Sequence, residues 1–332
     1  MPDLAVIIVS FNSAGYLSAC LESVYGHAGE AELDVVVVDN GSSDGSPELV
    51  ETEFPQTRVI RNENLGFAHA NNRGFETADA PFVLFLNPDT EILEGTFGDI
   101  LRLMGERPKA GLVGCRQLDG DGTVFPTIRR FPSPTRYLLQ ALGSERFPIR
   151  APWLGEEELD PAAYDRGTRC DWVAGSYMLA RRQAVLDAGL MDERFFLFAE
   201  ETDLCAGIEA AGWEVRYVPD MTIVHYFGKN GYNARLAAQE AYARRQYMFK
   251  HDGAVRRRLS TAALALYYAR RAVDTLARAD DEARTRRAAA RAALRTLVGA
   301  APPPFGARSG PLQGPRMAPA RAGVGPDAPQ RS

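Results

Sequence analysis

The sequence predicts an α/β protein on a doubly wound, mostly parallel sheet, with a helical extension behind it. Three observations carry this. Short apolar, β-branched runs alternate with helical patterns over roughly the first ninety residues. Polar stretches rich in Gly, Asn and Asp fall where those runs end, as expected of loops at a sheet's carboxyl edge. From Ala234 onward strand signals cease, and Ala and Arg dominate.

Leu4 to Val9 (LAVIIV) is a continuous apolar run, the pattern of a strand buried on both faces. A helical pattern follows through Leu17, Leu21 and Val24. Leu33 to Val38 is the second buried strand, and Pro47 opens the next helix at a favoured first-turn position. Val59-Ile60 starts a third strand. Asn62 to Gly74 is polar, Gly-punctuated and leads into a short helix. Phe82 to Leu86 is the fourth strand, ending in Asn87-Pro88-Asp89. Glu94 to Met104 reads as a helix and Ala110 to Cys115 as a strand. Gln117 to Asp171 loses periodicity, and an irregular stretch of that length in a compact domain is usually functional or mobile. Trp172 to Ala180 is a strand and Arg182 to Ala188 a helix. A further helix runs from the Glu200 region to Ala211, with Gly212 at C′. Glu214 to Val218 and Thr222 to His225 read as two short strands. Ala234 to about Leu297 is helical, with breaks or caps at Gly253 and at Asp280-Asp281-Glu282. Residues 301–332 lack periodicity and are expected to be disordered.

The net charge of −5 hides an asymmetry. From residue 251 onward fifteen Arg and Lys stand against six Asp and Glu, leaving an acidic body at −14. The basic tail, not the body, is expected to meet an anionic surface. A nucleic-acid partner is not expected, because the body offers no basic groove. The four cysteines are scattered and read as reduced core residues. The N-terminus enters a strand pattern directly, and no apolar stretch reaches about 18 residues, so the expectation is a cytoplasmic protein.

Several residues have chemistry to offer. Asn87 and Asp89 splay two oxygen-bearing side chains at a strand end, which suits a hard divalent cation holding a diphosphate; the plainer reading is an Asx-capped turn. Asp39, ending the second strand, can accept from a base N–H or a ribose hydroxyl, or merely cap its turn. Neither Gly-x-Gly-x-x-Gly nor a Walker A sequence is present. The loop containing Gly66, Phe67 and Asn71 allows close backbone approach to a nucleotide. Glu200, Glu201 and Asp203 cluster behind an aromatic run. Acids in a first helical turn offset the dipole, but three are more than a cap needs, and one of them is a candidate general base. His225 is either structural or a partner of Asp89 around Mn2+ or Mg2+.

The ordered stretches VDNGSSDGS (Val38 to Ser46), NLGFAHANNRG (Asn64 to Gly74), FLNPDTEI (Phe85 to Ile92), WVAGSYMLARR (Trp172 to Arg182), FFLFAEETDLC (Phe195 to Cys205) and GWEVRYVPDMTIVH (Gly212 to His225) resemble family 2 glycosyltransferases of the GT-A fold. The nearest likeness is to bacterial rhamnosyltransferases of cell-wall linker and O-antigen synthesis. The resemblance implies a catalytic domain over residues 1–232, with a nucleotide-sugar half to about 115 and an acceptor half beyond it. A helical extension (233–300) and a tail (301–332) follow. It places Ser10, Asn12, Asp39, Gly66, Phe67, Asn71 and Asn87 around the nucleotide sugar, and Asp89 with His225 on a divalent metal. Asn87-Pro88-Asp89 stands where the family often has Asp-x-Asp. Glu200-Glu201-Thr202-Asp203 stands where it usually has Glu-Asp-x-Asp, so the base falls on Glu201, with Glu200 as the alternative. Trp172, Gly175, Arg129 and Arg130 are expected to border the acceptor, a polyprenyl-diphosphate-linked or other cell-envelope saccharide.

The implied reaction is an inverting transfer of L-rhamnose from dTDP-L-rhamnose. A UDP- or GDP-sugar donor and a non-catalytic nucleotide-sugar-binding protein are the alternatives. Residues 255–297 are expected to touch the inner face of the membrane peripherally, a homodimer contact or packed helical hairpin being the other reading.

Overall fold

Strand β1 (Leu4–Ser10) is buried along its whole length because both faces of the sheet are covered. Its side chains alternate: Leu4, Val6 and Ile8 pack with α1 (Ala14–Gly26), while Ile7 and Val9 face the opposite layer. β2 (Leu33–Asp39), α2 (Ser46–Glu53), β3 (Arg58–Arg61), α3 (Phe67–Thr77) and β4 (Phe82–Leu86) complete the parallel half. The computed structural model describes residues 1–143, 155–226, 233–276 and 280–305.

The chain continues through β5 (Thr90–Glu94), α4 (Phe97–Glu106), β6 (Ala110–Asp119), β7 (Ile128–Arg129), α5 (Pro134–Ala141), β8 (Thr168–Arg169), β9 (Trp172–Val173), β10 (Tyr177–Arg181), α6 (Arg182–Ala188), α7 (Glu200–Ala210) and β11 (Glu214–His225). The main sheet has the order β3-β2-β1-β4-β10-β6-β11-β5, with β8 also on β11. β3, β2, β1 and β4 are parallel, whereas β10 enters antiparallel between β4 and β6. Helices α1, α2 and α4 cover one face; α3, α6 and α7 cover the other. This is a GT-A fold.

Three local expectations change. Glu214 to His225 is one strand, with a register irregularity between Tyr217 and Thr222 in place of a break. Trp172 to Ala180 is not one strand: β9 pairs with β7, and β10 enters the main sheet beside β4. The helix expected from Glu94 begins only at Phe97 behind a Thr96 cap, because Thr90 to Glu94 is a strand. Short apolar segments at a sheet edge carry little periodic signal. The register His225↔Thr90 between β11 and β5 is what brings His225 to the turn after β4.

The extension forms α8 (Ala234–His251), α9 (Ala254–Asp274) and α10 (Asp281–Leu297). With α5 these helices bury a second core around Tyr137, Ala241, Met248, Leu264, Tyr268, Ala293 and Leu297. Gly253 and Asp280 stand at the N-caps of α9 and α10, where breaks were expected. Of the 301–332 tail, residues 306–332 lie outside the described residues; Phe305 is placed, stacked on Phe196 at 5.7 Å.

Candidate active site

A cleft of about 1350 Å3 opens at the carboxyl ends of β1, β2 and β4. On its strand side, paired strand ends set the geometry: Ser10 pairs with Asp39 in the parallel register. Neither residue is part of the cleft lining itself, and the Ser10 hydroxyl and Asp39 Oδ1 are buried with no partner among the described residues. Asp39 Oδ2 accepts from the N–H groups of Gly41 and Ser42 at 3.1 and 3.0 Å. One carboxylate oxygen thus builds the turn and the other is left for something else. Asn71 Oδ1 is likewise buried without a partner, while its amide donates to the Phe67 carbonyl at 3.1 Å. Asn12 has its side chain engaged: Oδ1 accepts from the Ser43 N–H at 2.8 Å, tying the first loop to the second.

Asn87, Pro88 and His225 line the cleft. His225 Nε2 lies 3.1 Å from Asp89 Oδ1 and 3.4 Å from the Asn87 amide nitrogen. The turn is held by Asn87 N–H donating to the Ser176 carbonyl at 3.0 Å, and by Thr90 Oγ1 donating to the Asn87 carbonyl at 2.8 Å. No group of three or more His, Cys, Asp or Glu side chains that could hold a metal occurs among the described residues.

On the opposite wall stand Glu200 and Glu201. The preceding residues Phe198 and Ala199 have φ of 70° and 65°, a left-handed pair rare outside glycine. Such conformations persist where the surroundings impose them. Here Phe67 N–H donates to the Phe196 carbonyl at 2.7 Å, and a Cβ on Gly66 would meet that same carbonyl oxygen at 2.7 Å. Gly66 therefore lets its own loop press against the segment that carries the acids. Burial pushes the Glu200 carboxyl well above the usual range, and the charge of Glu201 adds to this. Burial also raises Glu201, against its own backbone N–H and the guanidinium charges of Arg129 and Arg244. One oxygen of each acid is buried without a protein partner.

Asp203 turns elsewhere. Its two oxygens accept from Lys250 Nζ and pair with His251 Nε2, each at 2.7 Å, in the last turn of α8. Lys250 also reaches Asp192 at 2.8 Å, and Arg194 pairs with the same carboxylate. Trp172 lines the cleft, donates to the Arg130 carbonyl at 3.0 Å and carries the Arg129 guanidinium over its ring. Gly175 sits against Glu201, where a Cβ would touch at 3.4 Å. Arg129 lines the cleft and pairs with Glu157; Arg130 pairs with Glu158 and is not part of the cleft lining. Sequence reasoning missed Arg244, which lines the cleft from α8 and pairs with Glu240 and Glu156 at 2.9 and 3.1 Å. It also missed Tyr247 and Phe305 on the same wall. Only three-dimensional packing folds α8 over the cleft; a lone Arg in an Ala/Arg-rich helix gives no signal.

A parallel half-sheet with unpaired polar atoms at its strand ends, facing a buried carboxylate pair, is the arrangement expected of a GT-A glycosyltransferase. Comparison with known proteins agrees. Residues 5–161 match the family model "Glycosyl transferase family 2". The N-acetylglucosaminyl-diphospho-decaprenol L-rhamnosyltransferase of Mycobacterium tuberculosis is 31% identical over 264 residues, covering 75% of this chain and 84% of that protein. Rhamnosyltransferase WbbL of Escherichia coli K12 is 24% identical, covering 67% and 82%. Among solved structures, a mannosyltransferase from Pyrobaculum calidifontis in complex with GDP-Man and Mn2+ aligns with a TM-score of 0.54 at 18% identity, over 90% of this chain and 86% of that one. The chain belongs to glycosyl transferase family 2.

Proposed function

We propose that this glycosyltransferase inverts the anomeric centre of L-rhamnose as it moves it from dTDP-L-rhamnose to a polyprenyl-diphosphate-linked saccharide. The reading rests on the buried Glu200–Glu201 pair facing the strand-end pocket, within a family whose full-length relatives here are named as rhamnosyltransferases. Residues up to about 115 form the donor half and 116–232 the acceptor half.

Ser10, Asp39 and Asn71 offer their unpaired atoms to the nucleoside, with Gly66 and Phe67 shaping the wall. Glu201 takes the proton of the acceptor hydroxyl as that oxygen bonds to C1 of the sugar. The bond from C1 to the diphosphate oxygen breaks, and the nucleoside diphosphate leaves with the electron pair. One displacement inverts the centre. Asp89 and His225, with Asn87 beside them, would hold a divalent cation such as Mn2+ or Mg2+ through one carboxylate and one imidazole. Such an ion supplies positive charge to the leaving diphosphate. Trp172 and Arg129 offer a stacking face to the acceptor sugar.

Glu201→Gln tests this. Transfer from dTDP-L-rhamnose should fall by about 10^2 to 10^4, with donor affinity kept within about twofold. Transfer that survives the change removes Glu201 from the base role, and turnover of a UDP- or GDP-sugar in place of dTDP-L-rhamnose overturns the donor assignment. Asp89→Ala should instead weaken donor binding and abolish its dependence on added Mn2+.

A further inference from the structure

Helix α9 is apolar on two opposite faces. Its inner face, with Ala263, Leu264 and Tyr268, is buried against α5 and α10. On the outer face Val255, Leu259, Leu266 and Val273 are 72, 57, 49 and 60% exposed, and Ala262 is exposed between them. At about 100° per residue these five positions fall within an arc of about 60°, five turns long. A surface helix of a soluble protein normally turns charge outward; a continuous apolar stripe there marks an interaction surface.

We infer that this stripe is a docking surface for an anionic lipid bilayer. Exposed Arg256 and Arg258 flank it on its two sides near its start, Arg256 also pairing with Asp252 and donating to the Pro132 carbonyl. Residues 254–297 carry eleven Arg against four Asp and Glu, on an otherwise acidic chain. A stripe of aliphatic side chains flanked by arginine fits the headgroup boundary, with the chains in the acyl layer and the guanidiniums on phosphate. No helix among the described residues is long and apolar enough to cross a membrane, so contact through α9 lies in the plane of the interface. A second copy of the chain is a poorer occupant: a two-fold contact through the stripe would bring like-charged arginine flanks together. The one acid late in α9, Asp274, already pairs with Arg270. The surface does not depend on which sugar is transferred, so it can fail or stand apart from the reaction proposed above.

The test is flotation of the full chain with vesicles of phosphatidylcholine alone or mixed with phosphatidylglycerol. The wild type should float with the mixed vesicles and be released by high salt. Leu259→Glu with Leu266→Glu should cut partitioning at least about tenfold, and Val255→Glu with Val273→Glu should do the same; unchanged thermal unfolding shows that each pair leaves the fold intact. Arg258→Glu should weaken binding by about fivefold or more, on anionic vesicles only. Transfer to a short, water-soluble acceptor should stay at the wild-type rate. The inference is overturned if the wild type ignores anionic vesicles, or if the paired variants float as well as it does. It is also overturned if the chain forms a dimer that those variants dissolve while vesicles go unbound.

Discussion

The two walls of the cleft are built by different means. The wall assigned above to the donor comes from adjacent strand ends, fixed by backbone pairing; Ser10 Oγ and Asp39 Oδ1 there, and Asn71 Oδ1 on α3 beside them, are buried without a partner among the described residues. The wall assigned to the acceptor comes from segments far apart in sequence: the loop before α7, β9, and helix α8 of the extension. Its polar groups are tied to one another, Asp203 to Lys250 and His251, Arg244 to Glu156 and Glu240. A wall that backbone already fixes can hold unpaired atoms for a ligand. A wall assembled from side chains must spend most of its charges on holding itself together, and the Glu200–Glu201 pair is spared.

The largest effect should come from cutting the ties of the acceptor wall. Lys250→Met leaves Asp203 and Asp192 without their shared ammonium. Removing one partner of a buried ion pair costs up to about 3 kcal/mol when the remaining charge is left alone; here two carboxylates lose the ammonium at once, while His251 and Arg194 stay on them. Urea unfolding should show that loss, and kcat should fall more than the donor KM rises. If KM for the donor suffers most, the two walls are not separable.

The second break falls where the walls meet. Gly66→Ala puts a methyl group 2.7 Å from the Phe196 carbonyl oxygen, at a φ of 109° that an L side chain rarely adopts. A cost of about 2–3 kcal/mol is expected in urea unfolding, in the range for strain at a special backbone position. Kinetically both the donor KM and kcat should change, since one contact positions both loops.

The donor wall should respond in the opposite sense. Ser10→Ala deletes a buried hydroxyl that has no protein partner. The free protein should then be equally stable or gain up to about 1 kcal/mol, while donor affinity drops severalfold. Thermal melts with and without nucleotide separate these, and a destabilised free protein would show that Ser10 is structural.

This contrast also explains what the sequence could convey. The donor wall was legible because strand ends announce themselves: an apolar run stops, and the residue that stops it lies at the sheet's edge, as with Ser10, Asp39 and Asn87. The pairing of His225 with Asp89 needed the β11–β5 register, which no local pattern carries. Asp203 looked like its neighbours Glu200 and Glu201 in a row of acids, yet helical geometry turns it toward α8. Arg244 and Tyr247 were read as part of a separate extension because a helix does not say what it folds against. The positive φ values of Phe198 and Ala199 were unreadable for a related reason: neither residue type signals a conformation that tertiary contacts impose.

The smallest effect, and the one that addresses the acid pair directly, is its dependence on pH. Burial and mutual charge raise the Glu200 carboxyl in the folded protein, and burial raises Glu201. In the unfolded chain both should titrate near about 4.3. The folded state therefore binds more protons over the interval between those values, and stability must fall with rising pH across it. This contribution is intact below the unfolded value and is lost as pH rises through the raised ones. Asp192 works the other way. Burial alone would raise it, but Arg194 and Lys250 hold it far below the usual range, so its contribution survives until pH falls well under 4. Glu200→Gln removes one titrating acid and leaves Asp192 untouched. The difference in Tm between variant and wild type should therefore be near zero at pH 4 and grow in the variant's favour toward pH 8. Glu201 owes its own rise to burial and not to Glu200, so the rising limb of kcat/KM should stay where it is in the wild type. A Tm difference that stays constant across pH would mean that Glu200 does not gain its proton on folding, and the shared burial of the pair could no longer account for the base.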